Sequence, residues 1–170
     1  MKDTVNERGG AARISAQMVV EKLTEKGLTV CCAESCTGGL LSAALTAIPG
    51  SSAVYLGGCI TYTDEVKHRV LGVRRKSLKL HGAVSPQVAA EMAVGMRERL
   101  GTDFALSVTG FAGPGGGTDA DPVGTVYIGI SGRDFTKVCR MCDAPECDRE
   151  TVRADAVARA LRLLWDSMAD

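Results

Sequence analysis

The sequence predicts a single α/β domain in three layers, a mixed β-sheet with helices on both faces. Three observations carry that prediction. Apolar residues switch repeatedly between helical spacing and short β-rich runs. Glycine or proline stands where most of these runs stop. No repeat and no linker divides the 170 residues, a length that fits one domain with a real core.

The elements follow in order. Residues 1–11 are polar and read as a loose arm, leaving residues 12–170 as the domain. A helix is predicted over 12–26, stopped by Gly27, with an apolar pattern broader than one clean stripe. Leu28 to Ala33 form a short β-rich run. Leu41, Leu45 and Ile48 then recur at helical spacing until Pro49-Gly50 ends that helix. Residues 53–62 read as a strand with a glycine pair in its middle, followed by a short helix from Asp64 to Leu71 before Gly72. Ser85-Pro86 is a strong helix start, a hydroxyl cap followed by proline at the first helical position. Val88, Met92, Met96 and Leu100 lie four apart, and Gly101 closes the run. Phe104 to Val108 is a β run that enters a glycine-rich loop. Val123 to Ile130 and Phe135 to Met141 read as a strand pair joined by residues 131–134. The last helix begins near Asp148, with Val152, Ala156, Ala160, Leu164 and Met168 as its apolar stripe.

Composition narrows the function. No apolar run approaches the ~18 residues needed to span a bilayer. The first ten residues lack the apolar core of a signal peptide. The expected location is the cytoplasm, with no membrane partner. Lys plus Arg and Asp plus Glu number 20 each, so the basic excess typical of nucleic-acid binding is missing. The tight basic cluster Arg74-Arg75-Lys76, with Lys79 close by, reads as a solvated face. The seven cysteines read as free thiols. Cys139 and Cys142 form a C-x-x-C, but no second pair exists, the histidines are His68 and His81 alone, and an offset of three sends two strand side chains to opposite faces. No metal site and no cofactor is expected.

Two polar stretches stand out. Glu34-Ser35-Cys36-Thr37-Gly38-Gly39 lies where a strand turns into a helix. A first helical turn exposes N–H groups and partial positive charge, which suits a phosphate, an oxyanion or an activated nucleophile. Taken alone the same residues read first as a capped turn. They are not the G-x-S-x-G elbow, and no Gly-Lys-Ser/Thr follows to make a P-loop. A serine nucleophile needs a base, and Lys67 can serve if burial frees its amine. The second stretch, Ser107 to Gly117, runs from a strand into a loop with five glycines in eight positions, read as a phosphate cradle or as a plain hairpin loop. In open α/β sheets, ligands bind beyond the carboxyl ends of strands, where both stretches fall.

Six stretches together carry a resemblance. They are Ala33 to Gly39, Pro49 to Ser52, Thr61 to Lys67, Gly82 to Ser85, Ser107 to Gly110 with Gly113-Pro114, and Pro122 to Val126. In that order and spacing the chain resembles the CinA C-terminal domain family, the nicotinamide-nucleotide amidases, over roughly residues 12–168. The resemblance implies hydrolysis of the carboxamide of nicotinamide mononucleotide to nicotinate mononucleotide and ammonia, in pyridine nucleotide recycling. By position, it makes Ser35 the nucleophile and Lys67 its general base, with Tyr62, Thr109 and Arg149 at the site. Main-chain groups from Cys36, Thr37, Gly38 and Gly39 are the expected oxyanion donors. Arg149 and the loop containing Gly113, Gly115 and Gly116, with Gly110 before it, are the expected substrate-binding groups. Cys36 is a rival nucleophile. Cys147 replaces a glycine usual before Asp148-Arg149, and Thr63-Asp64 stands where Ser-Asn is common. The chain looks like the stand-alone form, without the molybdopterin-binding-like domain many relatives carry. A homo-oligomer is compatible with all of this. Two rivals remain: the same scaffold acting on another small amide, and a non-catalytic nucleotide-binding or regulatory module linked to competence or DNA damage.

Overall fold

The computed structural model describes residues 14–143 and 147–168. The expected N-terminal arm lies outside the described residues. The chain runs α1 (Ala16–Lys26), β1 (Val30–Glu34), α2 (Leu40–Thr46), a single 3-10 turn (Ser51–Ala53), β2 (Tyr55–Ile60), α3 (Asp64–Leu71), α4 (Arg75–His81), α5 (Pro86–Leu100), β3 (Phe104–Gly110), β4 (Thr125–Ser131), β5 (Thr136–Cys142) and α6 (Arg149–Ser167).

The five strands form one sheet in the order β2-β1-β3-β4-β5. β2, β1 and β3 are parallel neighbours, β4 runs against β3, and β5 runs against β4. The sheet is therefore mixed, as expected. The carboxyl ends of three adjacent parallel strands deliver Ser35, Thr61 and the Thr109–Gly110 corner to one edge of the sheet.

Side-chain alternation along the strands splits the core in two. Val30, Cys32, Leu106, Val108, Val126, Ile128 and Ile130 face α1, α2 and α6. Cys31, Ala33 and Ala105 face α3 and α5, where they meet Leu71, Val88, Met92 and Met96. Each sheet face thus carries its own helices, the three-layer arrangement the sequence predicts. The second face is built from small residues, and Ser107 donates to the Ala89 carbonyl at 2.6 Å. That lets α5 lie close to the strands.

Helix boundaries follow capping chemistry. Ser15, Thr63, Ser85 and Asp148 each accept from an N–H in the first turn of the helix that follows. The α1 helix starts at Ala16, later than residue 12, because Ser15 is its cap. The β2 strand is shorter than the predicted 53–62, since the 3-10 turn takes its start and Thr61 to Thr63 lead into α3. The α4 helix was not predicted. The basic cluster is exposed, as a solvated face should be; within it Arg74 pairs with Glu91 and Arg75 with Glu65, while Ser77 donates to Glu91. Cys147 packs half-buried against the first core, and Asp148 still caps α6 at 2.7 Å.

One glycine here fixes helix spacing. A Cβ on Gly95 in α5 would lie 1.8 Å from the carbonyl oxygen of Leu71, the last residue of α3. Alanine for glycine inside a helix ordinarily gains about 1 kcal/mol. At this position the collision is with backbone, and overpacking costs about 1–3 kcal/mol. Gly95→Ala is therefore expected to lower the thermal midpoint by several degrees. A midpoint equal to or above the parent's would show that α3 and α5 can part freely.

Candidate active site

Ser35 is the first residue after β1. Its N–H bonds the Val108 carbonyl at 2.9 Å, which extends the β1–β3 ladder by one rung. On the other side, Thr61 N–H bonds the Glu34 carbonyl at 2.8 Å and extends the β1–β2 ladder. The nucleophile candidate and Thr61 are thus set by the backbone of adjacent strands.

Lys67 comes back from α3 to meet them. Thr63 caps that helix and Lys67 N–H bonds the Thr63 carbonyl at 2.9 Å, so one helical turn carries the side chain inward. Lys67 is only 1% exposed. Its Nζ lies 3.1 Å from Ser35 Oγ and 2.7 Å from the Thr61 carbonyl oxygen. Burial lowers its pKa from the ordinary 10.5, against the opposing pull of Asp64 and Cys36. A neutral amine that donates one N–H to Thr61 keeps its lone pair for the Ser35 hydroxyl proton. The geometry can therefore perform base-assisted attack by a serine.

Cys36, the rival, turns the other way. Its side chain belongs to the core between the sheet and α6. Burial raises its pKa to about 11, although Lys67, Arg149 and Arg153 all pull it down. At neutral pH it is a thiol.

The helix terminus behaves differently from the sequence-based expectation. Glu34, 1% exposed at the end of β1, already fills it. Its carboxylate accepts from Gly39 N and Leu41 N at 3.0 and 3.1 Å, and from Ser42 N and Ser42 Oγ at 2.8 and 2.6 Å. Gly38 N–H is also taken, by the Ser35 carbonyl at 3.0 Å. The first turn of α2 is thus closed to a ligand, and Gly38 and Gly39 cannot donate to one without breaking these bonds. Among the described residues, the N–H groups of Cys36 and Thr37 have no acceptor. Thr37 is fully buried, so the N–H of Cys36 is the free donor next to Ser35. Glu34 has no role assigned from sequence, and no local pattern marks it for this one.

The other expected residues divide. Arg149, at the start of α6, donates to the Gly113 carbonyl at 2.7 Å and to the Tyr62 hydroxyl at 3.2 Å. It ties the β3–β4 loop to the segment before α3. Tyr62 is 59% exposed. Thr109 is buried, and its hydroxyl donates to the Ala83 carbonyl at 2.9 Å rather than to Ser35. Gly110 sits in the β3–β4 ladder, where a Cβ would crowd the Thr125 carbonyl at 2.7 Å. Residues 111–124 join two antiparallel strands, so the second stretch is a hairpin loop. Gly115 and Gly116 are exposed on it. Arg153, one turn after Arg149 on α6, donates to the Thr37 carbonyl at 3.0 Å.

Cys139 faces the first core and Cys142 is exposed on the opposite side of β5. Among the described residues, no group of three or more His, Cys, Asp or Glu is placed to hold a metal ion, and no helix is long and apolar enough to cross a membrane.

Fold and site together define a class: a mixed α/β domain with a buried serine–lysine pair at the carboxyl ends of neighbouring parallel strands. The chain belongs to the CinA C-terminal domain family, which it matches over residues 13–168. It is 54% identical over 154 residues to a CinA-like protein of Desulfovibrio desulfuricans, covering 89% of this chain and 36% of that one. It is 49% identical over 146 residues to a CinA-like protein of Parasynechococcus marenigrum, covering 86% of this chain and 35% of that one. The chain thus spans about a third of the length of these curated relatives. Its structure is similar to that of the competence/damage inducible protein CihA from Agrobacterium tumefaciens, with TM-score 0.87 and 41% identity over 91% of this chain and 93% of that one.

Proposed function

We propose that this domain is a serine amidase that hydrolyses the carboxamide of nicotinamide mononucleotide to nicotinate mononucleotide and ammonia. The observation that carries the reading is the contact of a fully buried lysine amine, 3.1 Å away, with a serine hydroxyl at a strand end. The substrate comes from the family resemblance, and the pair of groups supports the reaction type.

In this reading, neutral Lys67 takes the Ser35 proton as Oγ attacks the amide carbon. The N–H of Cys36 receives the oxyanion, such a donor being worth roughly 3 kcal/mol. Lys67 returns its proton to the departing nitrogen, ammonia leaves, and water hydrolyses the ester by the same steps. Arg149 has no carboxylate partner among the described residues and supplies the positive charge for the phosphate. Arg149 also donates to the Tyr62 hydroxyl and to the Gly113 carbonyl, on the loop where Gly115 and Gly116 are exposed. The pairing of Arg74 and Arg75 with acidic side chains supports a small-molecule partner over nucleic acid.

The test is ammonia release from nicotinamide mononucleotide, with and without EDTA, beside Ser35→Ala. Release that resists EDTA and disappears in Ser35→Ala is the expected result. No release by the folded parent protein would overturn the assignment, and release from a different carboxamide would redirect it.

The lysine also sets a pH dependence. The base works only when neutral, so kcat/KM is expected to rise with pH through the Lys67 pKa, with its midpoint below the ordinary lysine value of 10.5. A pH–rate profile whose ascending limb sits at or above that value would argue against a buried lysine base.

A further inference from the structure

We infer that Glu34 is the positioning residue of the oxyanion site: its buried carboxylate fixes the Ser35–Gly39 turn by taking the helix-terminal N–H groups, and leaves that of Cys36 for the reacting oxygen. This rests on the amidase reading above.

Three observations support it. First, the cap of α2 comes from five residues upstream of its N-cap, on a strand. The N-cap itself is Gly39 at φ 102°, a backbone that side-chain-bearing residues rarely adopt. A conventional cap would have had to sit on the turn it stabilises. Glu34 instead anchors the turn to β1, a rigid element paired on both sides. Second, the carboxylate is held in turn. Ser42 Oγ donates to it at 2.6 Å and accepts from the Tyr55 hydroxyl at 2.7 Å, so β2 braces the same group. Third, the carbonyl side of the turn is clamped separately. Arg153 donates to the Thr37 carbonyl, and Gly38 N–H to the Ser35 carbonyl. Cys36 N–H shares its peptide plane with the Ser35 carbonyl, which Gly38 N–H engages, so that plane has little freedom to rotate.

The effect is selective. An open helix terminus would compete for the substrate's own phosphate and could hold it out of register with Ser35. A carboxylate built into that terminus removes the competing site.

Glu34→Gln keeps the volume of the side chain but turns an NH2 group towards N–H donors. The expected result is a fall in kcat of about 100-fold, with KM for nicotinamide mononucleotide within roughly threefold of the parent. Ser42→Ala keeps the Ser42 N–H bond and removes the hydroxyl brace. Its kcat should fall several-fold with KM again little changed. A purely structural role for Glu34 would lower the thermal midpoint while the folded fraction turned over at the parental kcat, and that result would overturn the inference. If Glu34→Gln does not fold, Ser42→Ala decides alone, and a parental kcat there would overturn it. Parent protein silent on every carboxamide offered would sink the amidase reading and this inference together. An active parent with an equally active Glu34→Gln would sink this inference only.

Discussion

Lys67→Arg is expected to remove ammonia release while the domain remains folded. The argument is one of charge rather than size. Burial penalises the Lys67 ammonium and lowers its pKa from the ordinary 10.5, and the nearby Asp64 and Cys36 only partly offset that penalty. A guanidinium keeps its proton at any pH the protein survives. It would still donate to the Thr61 carbonyl but offer no lone pair to Ser35. General base catalysis contributes about 10²–10⁴-fold, so the loss should be of that order. Lys67→Met is the companion variant, because it has similar length, no charge and no base. Steady-state ammonia release checks both, with circular dichroism to confirm the fold. Activity near the parent's in either variant would remove Lys67 from the mechanism.

Ser35→Ala is expected to cost more, about 10⁴-fold or beyond, because no neighbouring group can form the acyl intermediate in its place. Cys36 is the obvious substitute in the sequence. In the fold its thiol lies in an aliphatic core with a pKa raised to about 11, and only a trace of thiolate exists at neutral pH. Cys36→Ala should therefore keep kcat within a few-fold of the parent, while Ser35→Ala loses it. The reverse pattern, with Cys36→Ala dead and Ser35→Ala active, would exchange the two roles.

Much of this architecture was legible because it depends on local chemistry. Ser85-Pro86, Thr63 and Asp148 announce helices through caps that need only the next few residues. The hairpin of β4 and β5 follows from two apolar runs and a polar turn. The α4 helix was missed because its apolar residues, Leu78 and Leu80, have no helical period to speak of. What supports it is non-local: Glu91 on α5 accepts from Arg74 N–H, the Arg74 guanidinium and Ser77. The site divides the same way. Ser35 and Lys67 could be named from their stretches, but their contact joins residues 32 apart, and only the fold puts the amine 3.1 Å from the hydroxyl. Glu34 carries no local signal, since its partners lie five to eight residues downstream. Arg153 is further from legibility still, reaching the Thr37 carbonyl across 116 positions.

The two added rungs at the end of β1 have a wider meaning. Parallel strands lie about 4.8 Å apart whatever their side chains. Ser35 N–H to Val108 and Thr61 N–H to Glu34 carry that spacing one residue past the sheet. The acid–base pair is then assembled on it, the hydroxyl from one strand end and the amine docked on the carbonyl of the next. The distance between the reacting groups is therefore inherited from the peptide backbone, as from a ruler. Drift in the surrounding side chains should change how firmly the domain holds together long before it changes how far the amine sits from the hydroxyl.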